Sequence, residues 1–391
     1  MRVLIAFDKF KDALSAAEAC AVAATTLRAQ HPDWQLDLCP LTDGGEGFGE
    51  TLTTAAHGEI RTPTVAGPRG QPVKAQLGFI TANNIPAAIN RHLAVENKPS
   101  VINAALAIVD LSSASGLALL APSERDPWQT STYGTGELVR LAAEAGAGTI
   151  LLGVGGSATN DLGLGALAAL GFKFYDDAGA DLGVPTPACW PQIQRIDRSG
   201  AHKIPAIFIA CDVTNPLLGP RGATTTFGPQ KGLRAEDIAQ LEAQAARLAA
   251  LLCATCEQPR TLAHTPGAGA AGGIAFGLMV AYGAKLVPGY DLVSDWLNLS
   301  SRIQAADLIL TGEGRFDLTS LEGKGPGSLV TAARRLGKPV HVFAGSLGLP
   351  PDRELHAITP ADLPLARALP RTAELLASAI ARVRLDQLPP R

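Results

Sequence analysis

Acids, bases and glycines recur together in this chain, in short loops that each follow an apolar run. Asp8-Lys9-Phe10-Lys11 follows Val3–Phe7. Asp8 can position a hydroxyl or a metal and Lys11 can neutralise a phosphate or carboxylate, although a solvated turn uses the same residue types. Asp43-Gly44-Gly45-Glu46-Gly47 sets two carboxylates among glycines. This suits Mg2+ or substrate hydroxyls close to backbone N–H groups, and equally a turn that caps a helix. Phe227–Gly232 holds Lys231 in a glycine-flanked turn, where lysine serves as a point charge for phosphate. Thr311–Asp317 leaves another apolar run with Glu313, Arg315 and Asp317.

Gly153-Val154-Gly155-Gly156-Ser157-Ala158-Thr159-Asn160-Asp161 follows an apolar run and opens a helical pattern. Glycines let backbone approach a ligand, and N–H groups at a helix start attract anions. The first six residues also satisfy G-x-G-x-x-A, with Asp176-Asp177 about twenty residues on, as in a dinucleotide-binding fingerprint. A nicotinamide-dependent oxidoreductase therefore stands beside a phosphate-binding enzyme at this point, although the fingerprint ordinarily marks a first βαβ unit. Gly267-Ala268-Gly269-Ala270-Ala271-Gly272 repeats the spacing without a preceding strand, and reads as anion binding at Gly269 or close helix packing. No G-x-x-x-x-G-K-[ST] is present, which excludes a Walker-type NTPase. No histidine has metal-ligand spacing, and Cys253-Ala254-Thr255-Cys256 lacks a second pair, so it reads as two ordinary thiols.

The elements carrying these loops alternate between buried strands and Ala-rich helices, the pattern of α/β proteins with parallel sheets. Val3–Phe7 and Leu36–Cys39 are expected strands, with a helix between them that Ser15 and Glu18 start as a capping box. Residues 59–80 are punctuated by Pro and Gly as in antiparallel hairpins, and residues 83–100 read as an inserted loop. Ile108–Leu111, Thr149–Leu152 and Ile207–Cys211 are further strands, and Leu308–Thr311, Val340–Ala344 and Ala357–Thr359 follow near the end. Two N-terminal and three C-terminal strands predict a flavodoxin-like doubly wound parallel sheet over 1–60 plus 286–391, with a second α/β domain inserted at 61–285. At 391 residues, 47% apolar and 18% charged, the chain is long enough for two such cores, at roughly 100–200 residues per domain. A net charge of −3 without basic runs argues against nucleic acid and membrane surfaces. An acid at position 8 comes too early for a signal peptide, and no apolar run suits a transmembrane helix, so a cytoplasmic protein is expected. The composition is compatible with a homo-oligomer.

The loops occur in a distinctive order: Asp8–Lys11, Asp43–Gly47, Ser113–Leu117, Thr130–Glu137, Gly155–Asp161, Ala210–Val213, Phe227–Gly232, Pro266–Gly273 and Thr311–Asp317. That series resembles the bacterial glycerate kinases of the first type over nearly the whole chain. Lys9, Asp110 and a longer segment at 81–102 depart from the family's usual pattern. The resemblance implies ATP and Mg2+ dependence and phosphorylation of D-glycerate, commonly to 2-phosphoglycerate, in a cleft between two domains. Phosphoryl transfer needs positioning, charge neutralisation and a carboxylate for the attacking hydroxyl. On that reading Gly155, Gly156, Ser157, Asn160 and Gly269 face the nucleotide and Lys231 neutralises phosphate. Asp161 and Asp212 are the Mg2+ or base candidates. Asp8, Lys11, Asp43, Glu46, Ser115, Glu313 and Arg315 belong to the glycerate side. A non-catalytic nucleotide-binding protein is the remaining alternative to the kinase and the oxidoreductase.

Overall fold

The computed structural model describes residues 1–42, 44–93, 104–321, 325–350 and 352–385, so Asp43 and residues 94–102 of the expected insertion at 81–102 lie outside the described residues. The chain forms two compact units, Met1–Asp43 with Val293–Arg391, and Gly44–Leu292.

The first unit is built on a five-stranded parallel sheet ordered Leu355–Ala357, Val340–Ala344, Leu308–Gly312, Arg2–Phe7, Gln35–Leu38. Taken along the chain this is the 2-1-3-4-5 order of a flavodoxin-like sheet, assembled from two N-terminal and three C-terminal strands as expected. Val3 to Phe7 have no exposed surface, which explains the unbroken apolar run. Ser15 Oγ accepts the Glu18 N–H at 3.2 Å while Glu18 Oε2 accepts the Ser15 N–H at 2.8 Å, so the capping box starts the helix Ala16–Gln30. The C-terminal helical segment is broken in the middle. Leu365–Ala368 ends in a tight turn at Leu369–Arg371 before Thr372–Arg382, because Pro370 has no N–H to donate and crowds the preceding turn.

The second unit has a six-stranded sheet ordered Lys285–Val287, Ala206–Ala210, Thr149–Gly153, Leu106–Asp110, Leu77–Ile80, Glu59–Arg61. The first four strands run parallel and the last two antiparallel, the latter as the Pro/Gly punctuation of residues 59–80 predicts. The register aligns Asp110, Gly153, Ala210 and Val287 in one row across the parallel strands. Four loops therefore leave the sheet side by side at its carboxyl edge. The unit begins earlier than the expected residue 61, because the helix Phe48–Ala55 packs on the strands Leu77–Ile80 and Leu106–Asp110. It ends later than the expected 285, because Lys285–Val287 pairs with Ala206–Ala210. Among the described residues no helix is long and apolar enough to cross a membrane.

Candidate active site

Register brings the second unit's chemistry together. Asp110, only 2% exposed, ends its strand and ties down two neighbouring loops. Its Oδ1 accepts the Ser112 N–H at 2.9 Å and the Ser112 O–H at 2.6 Å, and its Oδ2 accepts the Gly47 N–H at 3.1 Å. The next strand continues into Gly153–Asp161, and the Gly155 N–H donates to the Gly44 carbonyl at 3.0 Å. A Cβ at Gly155 would collide with the Gly45 backbone, and one at Gly153 would lie 2.5 Å from the Phe48 ring. These two glycines thus allow one glycine-rich loop to lie directly on another.

Nearly every turn of the Gly155–Asp161 loop has a fixed partner. The Ala158 N–H donates to the Ser115 carbonyl at 2.9 Å, the Thr130 hydroxyl to the Ala158 carbonyl at 3.2 Å, and Asn160 Nδ2 to Thr224 Oγ1 at 3.1 Å. Lys231, enclosed at 2% exposure, lies beneath it, with Nζ 2.8 Å from Ser157 Oγ and 2.5 Å from the Thr159 carbonyl oxygen. Burial pushes this amine down to about 7, against the opposing pull of the Asp161 charge. Asp161 itself has no exposed surface. Its Oδ2 accepts the Thr132 N–H at 2.7 Å, the Thr132 O–H at 2.8 Å and the Gly165 N–H at 3.2 Å, and its Oδ1 accepts the Gly163 N–H at 3.2 Å. Burial pushes this carboxyl up while the four donors draw it down. The backbone N–H groups of Gly156 and Ser157 have no hydrogen-bond partner among the described residues. Gly156 itself is held in the left-handed region at φ +71°.

The other expected residues of this unit divide by exposure. Asp212 is exposed on the loop after Ala210, and the Tyr290 N–H at the start of helix Gly289–Trp296 donates to its two oxygens at 3.1 and 3.0 Å. Glu46 is exposed on the Gly44–Gly47 loop. Ser115 has no exposed surface, and its hydroxyl pairs with Thr135 Oγ1 at 2.8 Å, which makes that side chain part of the scaffold. Gly269 donates to the Asn215 carbonyl at 3.0 Å and packs against the Pro216 carbonyl, the close-packing alternative for that loop. Immediately after it Ala271, Gly272 and Gly273 are all left-handed, and the Gly272 carbonyl receives the Leu162 N–H at 3.0 Å. This segment buttresses the Gly155–Asp161 loop from behind.

The dinucleotide-binding alternative does not fit this topology. Such a fingerprint needs a helix leading to a second parallel strand. Here the helix Leu164–Ala169 leads to Lys173–Tyr175, which pairs antiparallel with Arg195–Asp197 in a separate two-stranded sheet. Asp176 and Asp177 consequently lie in the connection between these two antiparallel strands and not at the end of a second parallel strand.

In the first unit, strand order reverses between Arg2–Phe7 and Leu308–Gly312, where open α/β sheets bind ligands. The loops after these strands carry Asp8 and Lys11, and Glu313 and Arg315. They approach closely: a Cβ at Gly314 would lie 3.3 Å from the Lys11 nitrogen. Asp8 is 6% exposed and its Oδ1 accepts the Lys9 N–H at 2.7 Å. Lys11 and Arg315 are exposed, the latter with Nε 3.0 Å from Asp317 Oδ2, and Glu313 is half-buried.

Thr132 and Asp110 carry much of the second unit's geometry, yet neither is singled out for a role by its own motif. The signal for Thr132 is a Thr/Ser cluster directly before a helix, a capping pattern. For Asp110 it is an acid ending a buried strand. Among the described residues no three His, Cys, Asp or Glu side chains cluster as a protein-only metal cage. Mg2+ does not require one, because it is commonly held by one or two carboxylates together with substrate phosphates. The exposed carboxylate of Asp212 meets that requirement better than the enclosed Asp161.

The sequence model of the glycerate kinase family matches residues 3–385. The glycerate kinase of Bacillus subtilis (strain 168) is 36% identical over 386 residues, covering 96% of this chain and 95% of its own. The glycerate 2-kinase of Escherichia coli (strain K12) is 38% identical over 350 residues, covering 89% and 86%. A crystal structure from Salmonella typhimurium LT2, provisionally named glycerate kinase 2, superposes with a TM-score of 0.74 at 35% identity, covering 98% of this chain and 97% of that one. With its parallel sheets, its clustered glycine-rich loops and these full-length likenesses, the chain belongs to the glycerate kinase family and is a kinase.

Proposed function

We propose that this kinase transfers the γ-phosphoryl group of ATP, with Mg2+, to a hydroxyl of D-glycerate and yields 2-phosphoglycerate. The observation that carries the nucleotide part is the pair of N–H groups of Gly156 and Ser157, without a hydrogen-bond partner among the described residues and held at the carboxyl edge of a parallel sheet. Fixed backbone donors of this kind bind phosphate oxygens without reorganising. Asp212 is the residue for Mg2+, which when bound neutralises phosphate charge. Asp161 acts as a positioning residue, since its carboxylate already receives four donors.

On the glycerate side, Lys11 and Arg315 suit the substrate carboxylate, and Asp8 and Glu313 suit its hydroxyls. Asp8 is the group to orient or deprotonate the attacking hydroxyl. The name of the Escherichia coli relative favours the 2-product. A coupled ADP-release assay with D-glycerate and related hydroxy acids tests the reading, and NMR of the product assigns the phosphorylated oxygen. Absence of turnover on every hydroxy acid would refute it, and 3-phosphoglycerate would correct the product.

A further inference from the structure

Three groups beneath the Gly155–Asp161 loop form an arrangement that phosphate binding alone does not require. Ser157 Oγ lies 2.8 Å from Lys231 Nζ, and the same Nζ lies 2.5 Å from the Thr159 carbonyl oxygen. A nucleophile within hydrogen-bond reach of a base, with the base oriented by a third group, is the general geometry of an activated hydroxyl. Thr159 is fully buried and Lys231 is 2% exposed, whereas Ser157 keeps 7% of its surface. The amine is shielded from water, and Ser157 is the most exposed residue of the three. Next to Ser157 Oγ in the chain are the N–H groups of Gly156 and Ser157 itself, unpartnered among the described residues and suitable for the oxygens of a transferring group.

We infer that Ser157 is a nucleophile, with Lys231 as its base, that takes a phosphoryl group from a nucleoside triphosphate and becomes phosphoserine. Ser157 Oγ gives its proton to the free amine of Lys231 and bonds to the γ-phosphorus. The bond from that phosphorus to the β,γ-bridging oxygen breaks, and nucleoside diphosphate leaves. The proton remains on Lys231, whose ammonium then faces the new phosphate dianion. Burial brings the amine down to about 7, which favours its free base far more than in an exposed lysine. The inference rests on the ATP-dependent reading above for its donor.

The test is to incubate the full chain with ATP and Mg2+, without a hydroxy acid, and to map phosphopeptides by mass spectrometry while assaying D-glycerate turnover on the same preparation. Phosphate on Ser157, absent in Ser157→Ala, is the expected result. Lys231→Arg keeps a positive donor but cannot accept a proton, so labelling should slow by about a hundredfold or more. Should Lys231→Arg fail to fold, the wild-type labelling rate must still rise with pH through about 7. Turnover without any phosphate on Ser157 overturns the inference and leaves the kinase reading standing. Labelling of a folded Lys231→Arg at the wild-type rate also overturns it. Phosphoserine without turnover supports the nucleophile and counts against D-glycerate.

Discussion

Asp161 Oδ2 accepts both the backbone N–H of Thr132, at 2.7 Å, and the Thr132 hydroxyl, at 2.8 Å. The same hydroxyl oxygen accepts the Ala166 N–H at 2.9 Å, so one threonine joins the end of the glycine-rich loop to the helix that follows it. Thr132→Val keeps the shape and removes the hydroxyl, leaving a buried N–H and one carboxylate lone pair unsatisfied. A loss of about 1–3 kcal/mol in urea unfolding is expected, with a fall in kcat as the loop loosens. An unchanged denaturation midpoint would show that Thr132 does not hold the loop.

Gly155 differs from the turn glycines in being limited by a neighbouring backbone. A methyl group there would strike Gly45, whereas Gly146 has open space around its Cβ direction and is limited only by φ +84°. Gly155→Ala should therefore lose turnover as well as stability, since the two loops must part. Gly146→Ala should cost stability by about 1 kcal/mol and leave kcat unchanged. Steady-state kinetics with parallel thermal melts separates the two cases.

Adjacent strands of the first unit bring His341 Nδ1 to 3.0 Å from His356 Nε2, and His356 stacks on Phe343 with ring centroids 4.8 Å apart. Burial, then the neighbouring His341, pushes His356 down to about 4, and burial also lowers His341. Asp352, Glu354 and Arg353 act on the pair from the approach to the edge strand, the two acids raising and Arg353 lowering. Since the folded state resists protonation, the unfolded chain binds more protons below about 6.5 and stability falls as pH drops towards about 4. His356→Phe should flatten that slope in urea midpoints measured from pH 7 to 4.5 (about two and a half units of pH). An unchanged slope would rule out the pair as its source.

On the proposed reading Arg315 and Lys11 meet the substrate carboxylate, so their loss should be felt in one Michaelis constant. Arg315→Ala is expected to raise KM for D-glycerate about tenfold to a hundredfold, the worth of a charged hydrogen bond, with KM for ATP unchanged. A shift in the ATP constant alone would move Arg315 to the nucleotide side.

Strand positions were legible along most of the chain because each core strand is a short apolar run bounded by glycine or polar residues, as in Val3–Phe7 and Val340–Ala344. The Ser15–Glu18 capping box was legible for the same local reason. Short half-exposed strands such as Lys285–Val287 were not, since their sequence carries little periodicity and pairing with Ala206–Ala210 makes them strands.

By itself the sequence determined the α/β class, the two-part architecture, the order of the loops and the residue types they bear, all of which follow from local composition and spacing. Only the tertiary structure decided what each loop residue is free to do. Asp161 and Asp212 are both acids beside glycine- or strand-derived turns, yet one is enclosed by donors from Thr132, Gly163 and Gly165 while the other is exposed. Gly155 and Gly156 are adjacent, yet the first admits a neighbouring loop and the second has an N–H without a partner among the described residues. The alignment of Asp110, Gly153, Ala210 and Val287 sets these differences. It depends on pairing between strands far apart in the chain, which no local spacing encodes.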